Sequence, residues 1–274
     1  MSVQQTIGGH IGGEGRARRD RMIRAGGRYI GGVLILAAWE ISIRAGLADP
    51  YLLPAPSAIA LKIVQEATTG SLVSHAAQTV YRGVTGFLIA AALGVTLGTL
   101  AARNAFCRWL IDPLVSVGFP APKIALLPIF ILWFGLGDTP KLVMIIITCI
   151  FPVISATYLG TSSVERHLLW SARNLGMSER RLLWKIVIPA ALPQILSGFQ
   201  IAFPMALVVT VVTEMITSGG GLGGYMMRSA RFALSEQVFA GIMTIGVLGY
   251  ALLRLFDHLR RHLLRWHAEG NNEA

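Results

Sequence analysis

Residues Ala190–Thr213 read AALPQILSGFQIAFPMALVVTVVT, an uncharged run that stops against Glu214. A bilayer core is crossed by about 20 apolar residues rising 1.5 Å each, so this run is long enough for one membrane helix. Gly83–Ala102 and Leu142–Val164 are equally free of charge, and Val238–Leu253 is a shorter run of the same kind. Residues 109–137 are also apolar but are broken by Pro113, Pro120, Pro122 and Pro128, with Lys123 inside. Lipid tolerates such breaks only where protein or water satisfies the freed backbone groups, so this segment is expected to pack within a bundle. The first apolar run, Tyr29–Ile43, is interrupted near its end by Glu40. Gly94 and Gly98 form a small-xxx-small pair that lets another helix come close. The expected fold is therefore an all-α polytopic membrane protein with six transmembrane helices.

Composition agrees. The 274 residues are 54% hydrophobic and 14% charged, with mean hydropathy +0.60. Soluble domains carry about 25% charged residues, and so little charge cannot cover a water-exposed surface. Cys107 and Cys149 make no disulfide framework, and Cys149 reads as a small buried hydrophobe. A net charge of +10 raises the question of nucleic acid, but the arginines flank apolar runs rather than forming a stripe interleaved with aromatics. The pattern instead reports orientation in a membrane.

Three regions follow from this reading: a basic arm over 1–28, a transmembrane domain over 29–256 and a tail over 257–274. A cleaved leader is the rival reading of the first run, with Gly46-Leu47-Ala48 as its cleavage site. The long Arg-rich stretch before it and the spans after it favour a retained span. Six spans put both termini on one side. Arg16, Arg18, Arg19, Arg21, Arg24 and Arg28 lie on that side, with Arg103, Arg108, five basic residues between 166 and 185, and Arg254, Arg260, Arg261 and Arg265, seventeen in all. The other side holds Arg44, Lys62, Arg82, Lys141, Arg228 and Arg231, with Lys123 unassigned. Seventeen against six places both termini in the cytoplasm.

The longest polar interval, 162–189, reads SSVERHLLWSARNLGMSERRLLWKIVIP. Leu168, Ala172 and Leu175 fall at i, i+4, i+7 on one face of a helix. Gly176 suits a left-handed cap, and Ser178 suits the N-cap of a second helix whose Leu182, Leu183 and Ile186 lead to Pro189. A helix–Gly–helix of this kind buries its apolar face either on a partner or on its own bundle and the lipid headgroups.

The interval resembles the EAA loop of binding-protein-dependent ABC importer permeases. Ala172, Gly176, Ile186 and Pro189 match that pattern in spacing, while Trp170 stands for its acidic residue, Ser171 for its first alanine and Ile188 for its leucine. The likeness runs over roughly 50–255. Leu53-Pro54-Ala55-Pro56, Trp133-Phe134-Gly135, Phe151-Pro152, Glu214 and Gly221-Leu222-Gly223 resemble the branch serving sulfonates, taurine and nitrate. The resemblance implies that Trp170, Ser171, Ala172, Leu175, Gly176, Ile186 and Pro189 couple to a separate ATP-binding cassette ATPase. It also implies a second permease subunit, as a homodimer, a periplasmic solute-binding protein and residence in the inner membrane.

No G-x-x-x-x-G-K-[ST] phosphate cradle occurs; Gly135-Leu136-Gly137-Asp138-Thr139-Pro140-Lys141 lacks its order. The chain is thus expected to transport rather than hydrolyse, with no cofactor. Glu214, at the end of a long span, is a gating or pathway candidate, or a partner for backbone N–H groups of Gly219–Gly224, read as a loop. Lys123 either draws an anion into the pathway or snorkels to an interface. Arg228 and Arg231 either meet an acidic binding protein or are solvated. His258 and His262 stand four apart with only Asp257 nearby, too few ligands for a metal site. An ion-gradient transporter would show paired broken helices and midplane carboxylates, and a membrane enzyme clustered His, Asp or Cys. Neither pattern is present in the spans.

Overall fold

The computed structural model describes residues 30–265, and the arm over 1–28 and the last part of the tail lie outside them. The described chain is almost wholly helical. It divides into two units, 1–62 and 63–274.

In the first unit, helix α1 occupies 30–44 and a turn-rich stretch leads to α2 (Pro56–Thr68), which runs on into the second unit. Pro56 opens α2 where a missing N–H costs nothing. Glu40, the charge inside the first apolar run, accepts from the Ser57 N–H at 3.0 Å and the Ser57 hydroxyl at 2.8 Å. Its carboxylate therefore caps the start of α2 and faces the positive end of that helix. Arg44, one turn on, donates to the same group at 2.7 Å.

The second unit is built on three long helices: α3 (Ser71–Arg103), α6 (Thr139–Ser162) and α9 (Ile188–Thr217). Each is longer than the uncharged run that announced it, because the helix continues through polar residues at its ends. Their shared core holds Phe87, Ala90, Met144, Ile145, Val153, Ala202, Phe203 and Ala206, all buried. Cys149 is fully buried there and its thiol donates to the Ala202 carbonyl at 3.3 Å, tying α6 to α9. Small residues set the α3–α6 distance. A Cβ on Gly94 would stand 2.6 Å from Val153 Cγ1, and one on Gly98 would stand 2.7 Å from the Ile154 carbonyl oxygen.

The proline-broken segment forms α4 (Ala105–Gly118), a 3₁₀ turn over Lys123–Leu126, and α5 (Leu127–Phe134). The two arms meet at 96°. Asn104 caps α4, accepting from the N–H groups of Phe106 and Cys107. Pro120 and Pro122 sit at the elbow, where neither could continue a helix. The elbow touches α6 through Gly118, which lies against the Phe151 ring.

After α9 the chain reverses through Ser218–Gly220 into α10 (Gly221–Arg231) and then α11 (Ser235–Leu263). The glycine run is thus not all loop: Gly221–Gly224 form the first turn of α10. At eleven residues α10 rises about 16 Å, half of what a span requires. Helix α11 runs past the expected end of the last span and on through 257–263.

Among the described residues, four helices are long and apolar enough to cross a membrane, and the bent α4–α5 pair makes a fifth candidate. Large apolar side chains are left outward along them, Leu132, Val117 and Val247 among the most exposed, a surface suited to hydrocarbon rather than water.

The packing at Gly98 has a direct test. Gly98→Ala should lower the thermal midpoint of the detergent-purified protein, at the 1–3 kcal/mol level of overpacking, because the obstructing atom is backbone. Gly246→Ala on α11, where no atom lies within 4 Å, should be neutral or stabilising by up to about 1 kcal/mol.

Candidate functional site

Two constructions occupy opposite ends of the α3–α6–α9 bundle. The first lies where α3 and α6 begin and α9 ends. Glu214, in the last turn of α9, is fully buried. Its Oε1 accepts from Arg82 Nη1 at 2.7 Å; its Oε2 accepts from the Thr79 hydroxyl at 2.8 Å and from the Gly223 N–H at 3.1 Å. Thr79 has one proton, given to Glu214, and its oxygen accepts from the Leu222 N–H at 2.8 Å. Gln78 Oε1 accepts from the Gly221 N–H at 2.9 Å. Three of the N–H groups that open α10, which have no partner inside their own helix, are thereby satisfied by side chains of α3 and α9.

Arg82 spreads its guanidinium over three elements. Besides Glu214 it reaches Asp138 Oδ1, at 2.9 Å from Nε, and the Gly219 carbonyl, at 3.2 Å from Nη2. Lys141 Nζ donates to the same Gly219 carbonyl at 3.1 Å and stands 3.4 Å from Asp138 Oδ1. Two cations thus face two carboxylates. The glycines here are spatial necessities: a Cβ on Gly221 would collide with the Glu214 carboxylate and one on Gly223 with the Val211 carbonyl.

Arg82 and Lys141, counted in the sequence only as charges on the side opposite the termini, are both buried and bonded inward. A signal was available, since Arg82, Lys141 and Glu214 each adjoin an uncharged run at the same end of the bundle. Lys123 lies nearly buried at the elbow. Its ammonium bends back onto the Phe119 carbonyl at 2.8 Å and lies 5.4 Å from the Phe151 ring centre, closing the elbow. Arg231 donates to the Ser218 hydroxyl at 3.2 Å, at the reversal. His258 and His262 stand on α11, and among the described residues no three metal-ligating side chains converge.

The second construction is the 162–189 interval. Helix α7 (Arg166–Asn174) ends at Gly176, whose φ of +77° is the left-handed value expected of it. The Met177 N–H returns to the Ala172 carbonyl and the Gly176 N–H to the Arg173 carbonyl, the paired bonds of a Schellman cap. Helix α8 (Glu179–Leu182) then passes through a π-turn, Leu183–Val187, into α9. The widened turn falls just before Pro189, which can neither donate a bond nor let the preceding turn close tightly. Ser178 holds the N-cap position in extended geometry, but its side chain makes no capping bond.

The loop has a small core of its own. Ala172, Leu182 and Val187 are buried, with Val164, Leu169, Met177 and Ile186 around them. Of the expected face only Ala172 is buried; Leu168 is exposed and Leu175 is 86% exposed. Trp170 and Trp184 are also outward. Glu179 holds the loop to the bundle, taking Arg173 Nε at 2.7 Å and pairing with Arg103 at the end of α3.

Residues 94–265 match the family described as binding-protein-dependent transport system inner membrane component. The chain is 33% identical over 233 residues to SsuC of Bacillus subtilis strain 168, a permease protein named for aliphatic sulfonates transport, covering 85% of this chain and 84% of that one. It is 29% identical to the taurine transport system permease protein TauC of Escherichia coli K12, covering 86% and 88%. In architecture it is similar to the inward-facing MetNI methionine ABC transporter, with a TM-score of 0.61 at 15% identity over 72% of this chain and 98% of that one. That last likeness speaks for the fold alone.

Removing Arg82 leaves a carboxylate buried without its main cation, which costs about 3–5 kcal/mol in comparable settings. Arg82→Leu should therefore sharply lower the unfolding midpoint of the purified protein. Arg82→Leu with Glu214→Leu should cost less than the two single changes summed. Strict additivity in that cycle would show that the pair is not coupled.

Proposed function

The chain belongs to the binding-protein-dependent transport system inner membrane components, and from that membership we propose that it carries a small anionic solute, an aliphatic sulfonate, taurine or a near relative, across the inner membrane. It is the permease subunit of an ABC importer. The likeness to permeases named for sulfonates and taurine supports the solute class. Selection among such solutes falls chiefly to a separate periplasmic binding protein.

Six spans are proposed: α1, α3, the bent α4–α5 pair, α6, α9 and α11. With Arg82 and Lys141 buried, the exposed basic residues at the α10 end of the second unit reduce to Arg228 and Arg231, while Arg108, Arg166, Arg173, Arg180, Arg181 and Lys185 stand at the loop end. That asymmetry supports cytoplasmic termini and a cytoplasmic 162–189 loop.

One observation carries the coupling role: the loop holds its own core yet leaves Leu168, Leu175, Trp170 and Trp184 uncovered. A helix pair that needed only its own bundle would have buried them. We assign this face, with Ser171, Ala172, Gly176, Ile186 and Pro189 shaping it, to docking on an ATP-binding cassette subunit, one per permease of a homodimer. ATP-driven closure of two such subunits would move the loops, and the spans would alternate between outward and inward opening. Glu214 serves as an anchor of the outer end, holding α10 to α3 and α9 while the bundle moves. Lys123 steadies the elbow of the broken span.

Gly176→Val tests the coupling role. A β-branched residue at φ +77° is strained by roughly 1–2 kcal/mol, while no atom near Gly176 would obstruct it. Membrane level should stay near normal, ATPase co-purification should weaken and uptake should be lost, whereas Gly176→Asn should keep most of all three. Normal uptake by the valine variant would refute coupling through this loop.

Orientation is tested separately. A cysteine placed at Ser178 should resist an impermeant thiol reagent in intact cells, and one at Ser235 should react. Labelling of the Ser178 position from outside would reverse the assigned topology.

A further inference from the structure

A cavity of about 500 Å³ opens at the loop end, between the last turns of α3 and α6, the start of α4, and the helices of the 162–189 interval. Arg103, Arg108, Arg166 and Arg173 line it against a single carboxylate, Glu179. That carboxylate is shared by Arg103 and Arg173. Arg108 donates to the Tyr158 hydroxyl at 3.2 Å, and Asp112 acts on it only from longer range. Among the described residues, neither Arg108 nor Arg166 has a carboxylate within 4.0 Å. Thr161, only 8% exposed, also lines the cavity, and its hydroxyl has no hydrogen-bond partner.

Glu179 answers Arg103 and Arg173, and the guanidinium groups of Arg108 and Arg166 add positive charge to the same space without a carboxylate to meet it. Their planar forks match the paired oxygens of a phosphate. The depth is equally specific. The cavity sits where α3 and α6 finish their apolar lengths, at Arg103 and Ser162, which is the level of lipid headgroups rather than of acyl chains or free water. Basic recesses between membrane helices at that level suit anionic headgroups.

We propose that this cavity binds a phosphate-type oxyanion, presented by the headgroup of an anionic phospholipid in the leaflet that the 162–189 loop faces. A bound headgroup would bridge the α3–α4 corner to α7, adding a second tie beside Glu179 and setting the stiffness of the loop. The inference rests on the membrane placement of the chain and does not depend on the transported solute or on an ATPase partner.

The full-length chain in phosphatidylcholine nanodiscs doped with phosphatidylglycerol provides the test, read by native mass spectrometry of retained lipid. Phosphatidylglycerol should be retained over phosphatidylcholine. The preference should fall about tenfold or more in Arg108→Gln with Arg166→Gln, and persist in Arg180→Gln with Arg181→Gln, which removes equal charge from arginines outside the cavity. Inorganic phosphate in undoped nanodiscs separates the sources. A thermal stabilisation by phosphate alone, lost in the Arg108 and Arg166 variant, would keep the site and reassign its ligand to a free oxyanion. Equal retention of both lipids without any phosphate effect, or equal losses in both double variants, would overturn the proposal. Weakened ATPase co-purification with unchanged lipid retention would do the same, by assigning these arginines to a protein contact. If the glutamine variant fails to reach the membrane, the unmodified chain decides: a headgroup photo-crosslinking phosphatidylglycerol should mark 102–108 and 158–173, and marks confined to other segments would refute the site.

Discussion

A carboxylate buried among membrane helices is tolerable only when its charge is fully answered, and the end of the bundle that holds α10 is organised around that requirement. Glu214 receives a guanidinium, a hydroxyl and a backbone amide, so both of its oxygens are engaged. Arg82, the source of the guanidinium, is in turn held by Asp138 and the Gly219 carbonyl. Desolvating these ions is costly, and such a pair adds little net stability compared with apolar packing. Its contribution is specificity. The amides that open α10 find acceptors only with Gln78, Thr79 and Glu214 in place, so the short helix has one seat, fixed by α3 and α9 together.

Between that seat and the 162–189 loop run three long helices packed at glycine and alanine. Close packing of this sort makes the helices behave as rods rather than as deformable chains, because no void remains into which a side chain could yield. The 162–189 loop hangs on the far ends of the same rods: α6 leads into it, α9 leads out of it, and Arg103 of α3 grips it through Glu179. A displacement imposed on the loop is therefore delivered to the elements that hold α10. The π-turn before Pro189 is the one irregular backbone segment on the path from α8 into α9, and it is where such a displacement is most easily absorbed.

The loop itself illustrates how a small structure can be stable and still unsatisfied. Its Schellman cap and miniature core hold the helix pair in shape. The same geometry turns Leu175, Trp170 and Trp184 away from the bundle. On the side facing the bundle it leaves arginines outnumbering carboxylates. One face asks for apolar cover and the other for an anion.

What the sequence determined by itself was everything that follows from local chemistry. Uncharged runs near Ala190–Thr213 and Leu142–Val164 require membrane helices, prolines at 120 and 122 require a break, and Gly176 before Met177-Ser178 requires a left-handed cap; all of these stand in the structure. The spacing of Ala172, Gly176, Ile186 and Pro189 carried the family resemblance as well. Only the tertiary structure decided which charges are solvated and which are paired. That Arg82 and Lys141 are buried and paired was not legible, because their partners, Glu214 and the Gly219 carbonyl, are more than seventy residues away in the chain. For the same reason the glycine run after Glu214 read as loop: two of the three acceptors for its free amides, Gln78 and Thr79, come from α3, across the bundle. Which residues α7 buries within this chain was not legible either, since Leu182 and Val187 of the returning chain set it and not periodicity within α7. Local pattern specifies a helix and where it ends; which face it buries and which ions it pairs depend on neighbours that only the folded chain supplies.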